Sequence, residues 1–131
     1  DEIINYIKTP DWATEVQKLT NGKGADQLLE VVGGEGLNDS VLATKVAGQI
    51  SLIGFLAGQI TNLNLMQVLF RQTKIQGIAV GDRTSFDAMN KAFDQYKIKP
   101  VIDTVYPFEK AVEAYEHLAR GAFGKVVIKM F

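Results

Sequence analysis

Few residues in this 131-residue chain are equipped for covalent or acid–base chemistry. The one histidine, His117, falls in a helical stretch beside Glu116 and Arg120, where an imidazole is read as solvated surface rather than as a base. None of the serines stands in a Gly-x-Ser-x-Gly turn. The chain has no cysteine, which removes a thiol nucleophile, cysteine-ligated zinc and a disulfide framework. Asp11/Glu15 and Glu109/Glu113 lie at helical spacing and could form an acid–base pair or hold a metal. Helix faces carry such pairs for solubility, and Asp11 and Glu109 suit the positive end of a helix, so both pairs are read as solvated faces. Asn38-Asp39-Ser40 fits the N-glycosylation pattern, taken here as a chance match. No catalytic residue and no metal ligand is expected.

The stretch Val32-Gly33-Gly34-Glu35-Gly36 is more informative, because it follows a strand-like run and opens a helix. Backbone N–H groups at such a junction can receive an anion. The spacing is not Gly-x-Gly-x-x-Gly, since Asp39 stands where the last glycine belongs. Two readings stay open: a tight strand-to-helix turn needing positive φ, or a ligand contact.

The elements that position these glycines follow from hydrophobic spacing. Thr9 caps a helix with Pro10 at its first position, Trp12, Val16 and Leu19 inward, and Asn21-Gly22 as its stop. Residues 27–32 form a buried strand, and residues 37–46 a helix with Leu37, Val41 and Leu42 on one face, ended by Gly48. Residues 50–55 form a second strand. Residues 62–72 form a short helix, begun at Asn62 or Asn64, that packs Leu65, Val68 and Leu69. A third strand over 74–80 is broken by Gly81. Thr84-Ser85-Phe86-Asp87 fits a capping box for a helix with Phe86, Met89 and Phe93 inward. Residues 100–105 are extended, 108–120 a helix lined by Phe108, Val112, Tyr115 and Leu118, and 125–130 a last strand. Such alternation with short connections signals right-handed βαβ units and a largely parallel sheet, read as one domain.

Composition narrows the classes. A net charge of −1 and a pI near 5.8 argue against nucleic acid as partner. No apolar run approaches the ~18 residues of a membrane span, and the amino-terminal residues do not resemble a signal peptide. A cytoplasmic globular domain is expected. Its three central strands each terminate in glycine, at Gly33, Gly54 and Gly81. Ligands of open parallel sheets lie beyond the carboxyl ends of the strands, so these tips suggest a flat, nucleotide-sized ligand across them.

Ordered along the chain, several segments resemble the medium-chain dehydrogenase/reductase superfamily of zinc-type alcohol dehydrogenases and quinone oxidoreductases. Residues 1–6, Asp-Glu-Ile-Ile-Asn-Tyr, are similar to its third Rossmann strand. Asn21-Gly22-Lys23-Gly24-Ala25-Asp26 with Leu29-Glu30-Val31-Val32-Gly33 resembles the loop and fourth strand. Gly48-Gln49-Ile50-Ser51-Leu52-Ile53-Gly54 resembles the fifth, and Ile75-Gln76-Gly77-Ile78-Ala79-Val80-Gly81 the sixth. Tyr106-Pro107-Phe108-Glu109-Lys110-Ala111 and Phe123-Gly124-Lys125-Val126-Val127-Ile128 resemble the start of the final helix and the closing strand.

The resemblance implies a three-layer, Rossmann-like α/β fold with a mostly parallel sheet lacking its first two strands. Residues 1–131 would be the carboxyl-terminal part of an NAD(P)-binding domain. It implies an alcohol dehydrogenase-type oxidoreductase passing hydride between an alcohol or carbonyl compound and NAD or NADP. The alternatives are the zinc-free quinone or enoyl reductase branch, or a non-catalytic nucleotide-binding or oligomerisation module. By position, Val32 and Gly33 would flank the adenine-side ribose, and Ile53, Gly54 and Phe55 would pack by the nicotinamide ribose and ring. Backbone groups of Ile78 and Val80 would hold the carboxamide. Lys125 would stand near the pyrophosphate, its rival reading being a strand-edge surface lysine. The family's catalytic domain with its zinc ligands and the glycine-rich phosphate turn have no counterpart here, so the polypeptide is expected to be inert alone. The edge of strand 27–32 would then be capped by residues 3–6 or by a second copy, and the opposite edge, 74–80, would join a homodimer.

Overall fold

Parallel neighbours require a crossover above the sheet, and the chain places a helix between every successive pair of strands. The computed structural model describes residues 2–131. They form two compact units, residues 2–80 and 81–131.

In the first unit, α1 (Trp12–Leu19) precedes β1 (Ala25–Glu30), then α2 (Gly36–Ala43), β2 (Thr44–Leu52), α3 (Leu65–Arg71) and β3 (Lys74–Gly77). The strands make one parallel sheet in the order β1-β2-β3. Leu28, Ile50 and Ile75 stand side by side across it. Strand alternation puts this row on one face, where Leu37 and Val41 of α2 close the core with Val68 of α3 and Leu63. Ile50 and Val41 are fully buried.

The second unit runs α4 (Arg83–Tyr96), β4 (Ile102–Pro107), a single 3₁₀ turn (Phe108–Lys110), α5 (Ala111–Gly121) and β5 (Lys125–Lys129). Its two strands are also parallel neighbours. The chain is thus a mixed α/β fold of parallel sheets in the Rossmann manner.

Several local expectations shift. Asp11 caps α1 in place of Thr9, its carboxylate accepting from the Thr14 N–H at 3.2 Å. Asp82 caps α4 two residues before the expected Thr84, accepting from the Ser85 N–H at 2.7 Å. Asn64, of the two candidates, starts α3. Helix α2 stops at Ala43, because Thr44 is already extended and β-branched Thr44 and Val46 favour strand. The early start of β2 distorts the ladder: β1 advances from Ala25 to Gln27 while β2 advances from Thr44 to Gln49. Ala47 there adopts the left-handed region at φ 57°.

Residues 3–6 do not form the expected strand; they have no regular structure up to a turn beginning at Tyr6, and Asp1 lies outside the described residues. Their expected pairing with β1 is not made, and Leu29 on that edge is 64 % exposed. Two helical faces expected inward are also open. Phe86 and Met89 of α4, and Val112, Tyr115 and Leu118 of α5 with Phe108, are exposed; in α5 only Ala114 is buried.

Candidate functional site

Three strands running the same way end together, because Glu30, Leu52 and Gly77 are in register. The residues that follow continue the contact as irregular backbone. The Ile53 N–H donates to the Glu30 carbonyl at 2.8 Å, and the Ile78 N–H to the Leu52 carbonyl at 2.9 Å. Farther out, the segment after β2 folds back beside the segment after β1. The Ala57 N–H reaches the Val32 carbonyl at 2.8 Å, and the Gly34 N–H reaches the Gly58 carbonyl at 3.0 Å.

Two glycines permit this approach. A Cβ on Gly54 would lie 2.5 Å from the Val31 carbonyl oxygen. Gly33 has φ 66°, and a Cβ there would meet the Gly58 oxygen at 2.8 Å. Of the third expected tip, β3 itself ends at Gly77, and Gly81 opens the second unit.

The structure brings Val32, Gly33, Ile53, Gly54, Phe55 and Ile78 to this carboxyl edge. Val32, Ile53, Phe55 and Ile78 are each roughly half exposed, so the strand tips present apolar side chains to solvent. Val80 extends from the same edge, 93 % exposed. Among the described residues, neither the Ile78 carbonyl nor the Val80 N–H has a hydrogen-bond partner. Lys125 is the first residue of β5 in the second unit, exposed, its N–H donating to the Val101 carbonyl at 2.9 Å.

One buried residue at this edge escaped the sequence reading. Glu30 is 5 % exposed. Its Oε1 accepts from the Val32 and Gly33 N–H groups at 2.8 and 2.9 Å, and its Oε2 from the Ser40 hydroxyl. The signal was the one acid within the apolar run 27–32, since a buried carboxyl must find hydrogen-bond partners. Glu30 also lines a cavity of about 600 Å³ bounded by Tyr6, Trp12, Leu28 and Val32.

His117 is not solvated as expected. Its Nδ1 lies 3.2 Å from the Tyr106 hydroxyl and its Nε2 3.7 Å from Asp103, with the imidazole side chain 21 % exposed. Asp103 also accepts from the Thr104 hydroxyl and the Phe123 N–H, which hold its carboxyl below the usual value with help from His117. This cluster ties β4, α5 and the turn before β5 together. Among the described residues, no three His, Asp or Glu side chains converge as a metal site would need. No helix among them is long and apolar enough to cross a membrane.

Residues 1–97 match the family model described as zinc-binding dehydrogenase. A zinc-type alcohol dehydrogenase-like protein of Schizosaccharomyces pombe is 41 % identical over 97 % of this chain and 38 % of its own length. A quinone oxidoreductase of Pongo abelii is 26 % identical over 97 % of this chain and 40 % of its own length. Among solved structures, one from Sinorhizobium meliloti, provisionally named an alcohol dehydrogenase, superposes with TM-score 0.84 at 42 % identity, over 92 % of this chain and 35 % of that one. The chain therefore spans about two-fifths of the length of the curated relatives it matches. On the family match across residues 1–97 and the shared fold, the chain belongs to the zinc-binding dehydrogenase family.

Proposed function

We propose that residues 1–131 are the carboxyl-terminal part of an NAD(P)-binding domain in an oxidoreductase of the alcohol dehydrogenase type. The observation that carries this reading is the in-register ending of β1, β2 and β3, bared by Gly33 and Gly54. Ligands of open α/β sheets bind outside such ends. A solved NAD-dependent alcohol dehydrogenase aligns over 93 % of this chain at 31 % identity with TM-score 0.77, which supports NAD or NADP as the ligand.

The residues fit the group. Val32 and Gly33 would flank the adenine-side ribose, and Ile53, Gly54 and Phe55 the nicotinamide ribose and ring. The unpartnered Ile78 carbonyl and Val80 N–H match the amide donor and carbonyl acceptor of a carboxamide. Bound nicotinamide supplies the hydride donor or acceptor, while the protein supplies position. In this reading the chain contributes no acid, base or metal ligand, is inactive alone, and leaves zinc to residues outside it. A cytoplasmic location and a homodimer through residues 74–80 belong to the same proposal. No feature of the site favours the quinone reductase branch over it.

NADH titrated into ¹⁵N-labelled protein tests this reading. Saturable amide shifts at Val32, Gly54 and Ile78 in the millimolar range are expected. Shifts confined to α4 and α5, or none in a folded sample, would overturn the assignment.

A further inference from the structure

We propose that Glu30 is a built-in anion that fills the glycine turn after β1, so that this turn accepts a neutral part of its ligand and turns phosphate away. Successive backbone N–H groups pointing into one concavity form an anion nest, the device by which glycine-rich loops hold phosphate. Here the N–H groups of Val32 and Gly33 converge on one oxygen of Glu30, at 2.8 and 2.9 Å. The next donor, the Gly34 N–H, is held by the Gly58 carbonyl at 3.0 Å. The Ser40 hydroxyl of α2 is spent on the second carboxylate oxygen. All three partners of Glu30 donate, which suits an acceptor-only carboxylate.

The open readings of Val32-Gly33-Gly34-Glu35-Gly36 thereby resolve. The turn has the geometry of an anion site, but its anion is part of the chain. Glu30 lines the cavity beside β1, and the other lining residues include no lysine or arginine. A phosphate arriving there would meet an occupied nest and a like charge. In the cofactor reading, on which the ligand half of this proposal rests, the ribose and base lie against Val32 and Gly33 and the phosphates lie away from them.

The test uses the whole chain, native and with Glu30→Gln or Glu30→Ala, and follows backbone amides by NMR. Inorganic phosphate at tens of millimolar should leave the Val32 and Gly33 amides of the native chain unmoved. In both variants it should shift those two amides saturably, more strongly in Glu30→Ala. If Glu30→Ala does not fold, Glu30→Gln decides, because its side chain keeps an acceptor oxygen without charge. Phosphate shifts at these amides in the native chain would overturn the proposal. So would silence in a folded variant whose Gly34 amide stays protected from exchange. Adenosine serves as the neutral probe and should shift Val32 and Gly33 in the native chain. If phosphate behaves as expected and adenosine does not bind, the anion role of Glu30 stands and the cofactor reading falls.

Discussion

Gly54 tolerates no side chain where it stands, since a Cβ would press on the Val31 carbonyl at 2.5 Å and that carbonyl belongs to rigid neighbouring backbone. Gly54→Ala should therefore lower the stability of the first unit by about 1–3 kcal/mol, as overpacking does, visible as a lower urea midpoint. It should also remove NADH shifts at the strand tips. Ala47 is the opposite case. It is exposed, holds φ 57°, and carries a Cβ where none is favoured. Ala47→Gly should raise stability by about 0.5–1 kcal/mol despite the looser unfolded chain, measured the same way. At this scale the sequence was legible where glycine marked a close approach. Gly33 and Gly54 declared themselves because nothing else fits beside the facing carbonyls. Ala47 did not, because alanine conceals a strained backbone. Glu30 was overlooked because its partners are mostly backbone N–H groups, which every residue carries.

At the level of elements, helix starts are set by short polar side chains whose competition depends on geometry. Thr84 had the better capping pattern, yet Asp82 reaches the Ser85 N–H and takes the role. That hydrogen bond holds the Asp82 carboxyl below the usual 3.8. The Thr104 hydroxyl, the Phe123 N–H and His117 act in the same direction on Asp103. A carboxyl whose folded pKa lies below its unfolded one gives stability that is complete above the unfolded value and lost as pH falls through the folded one. The second unit should thus lose helicity in acid below about pH 4 and be insensitive to these two groups near neutrality. Asp103→Asn should flatten that acid limb in circular dichroism; an unchanged limb would show that Asp103 does not couple to folding. The alternation of helix and strand was legible throughout because the apolar period switches cleanly between 3.6 and 2. The exposed faces of α4 and α5 were not, because periodicity shows that a face is apolar and not what covers it.

For the molecule as a whole, the proposed homodimer would form at one of two open strand edges. Strand β1 has one neighbour, and Leu29, Val31 and Val32 beside its outer edge are exposed. Strand β3 also has one neighbour, and the helix that precedes it, α3, presents Leu65, Met66, Leu69 and Phe70, between 55 and 72 % exposed. Unpaired strands with apolar surroundings invite pairing with another chain. The α3 patch gathers four large apolar side chains, and the short strand that follows it in the chain is one that a symmetric partner can continue. Association through β3 should therefore give a closed dimer, whereas association through β1 would be less ordered. Light scattering at micromolar concentration should find a dimer in the native chain. Leu69→Glu with Phe70→Glu should dissociate it to monomer, and Leu29→Lys should leave it intact while suppressing larger species. A dimer that survives the α3 pair and falls apart with Leu29→Lys would move the interface to the β1 edge, and with it the expectation that residues 74–80 join the copies.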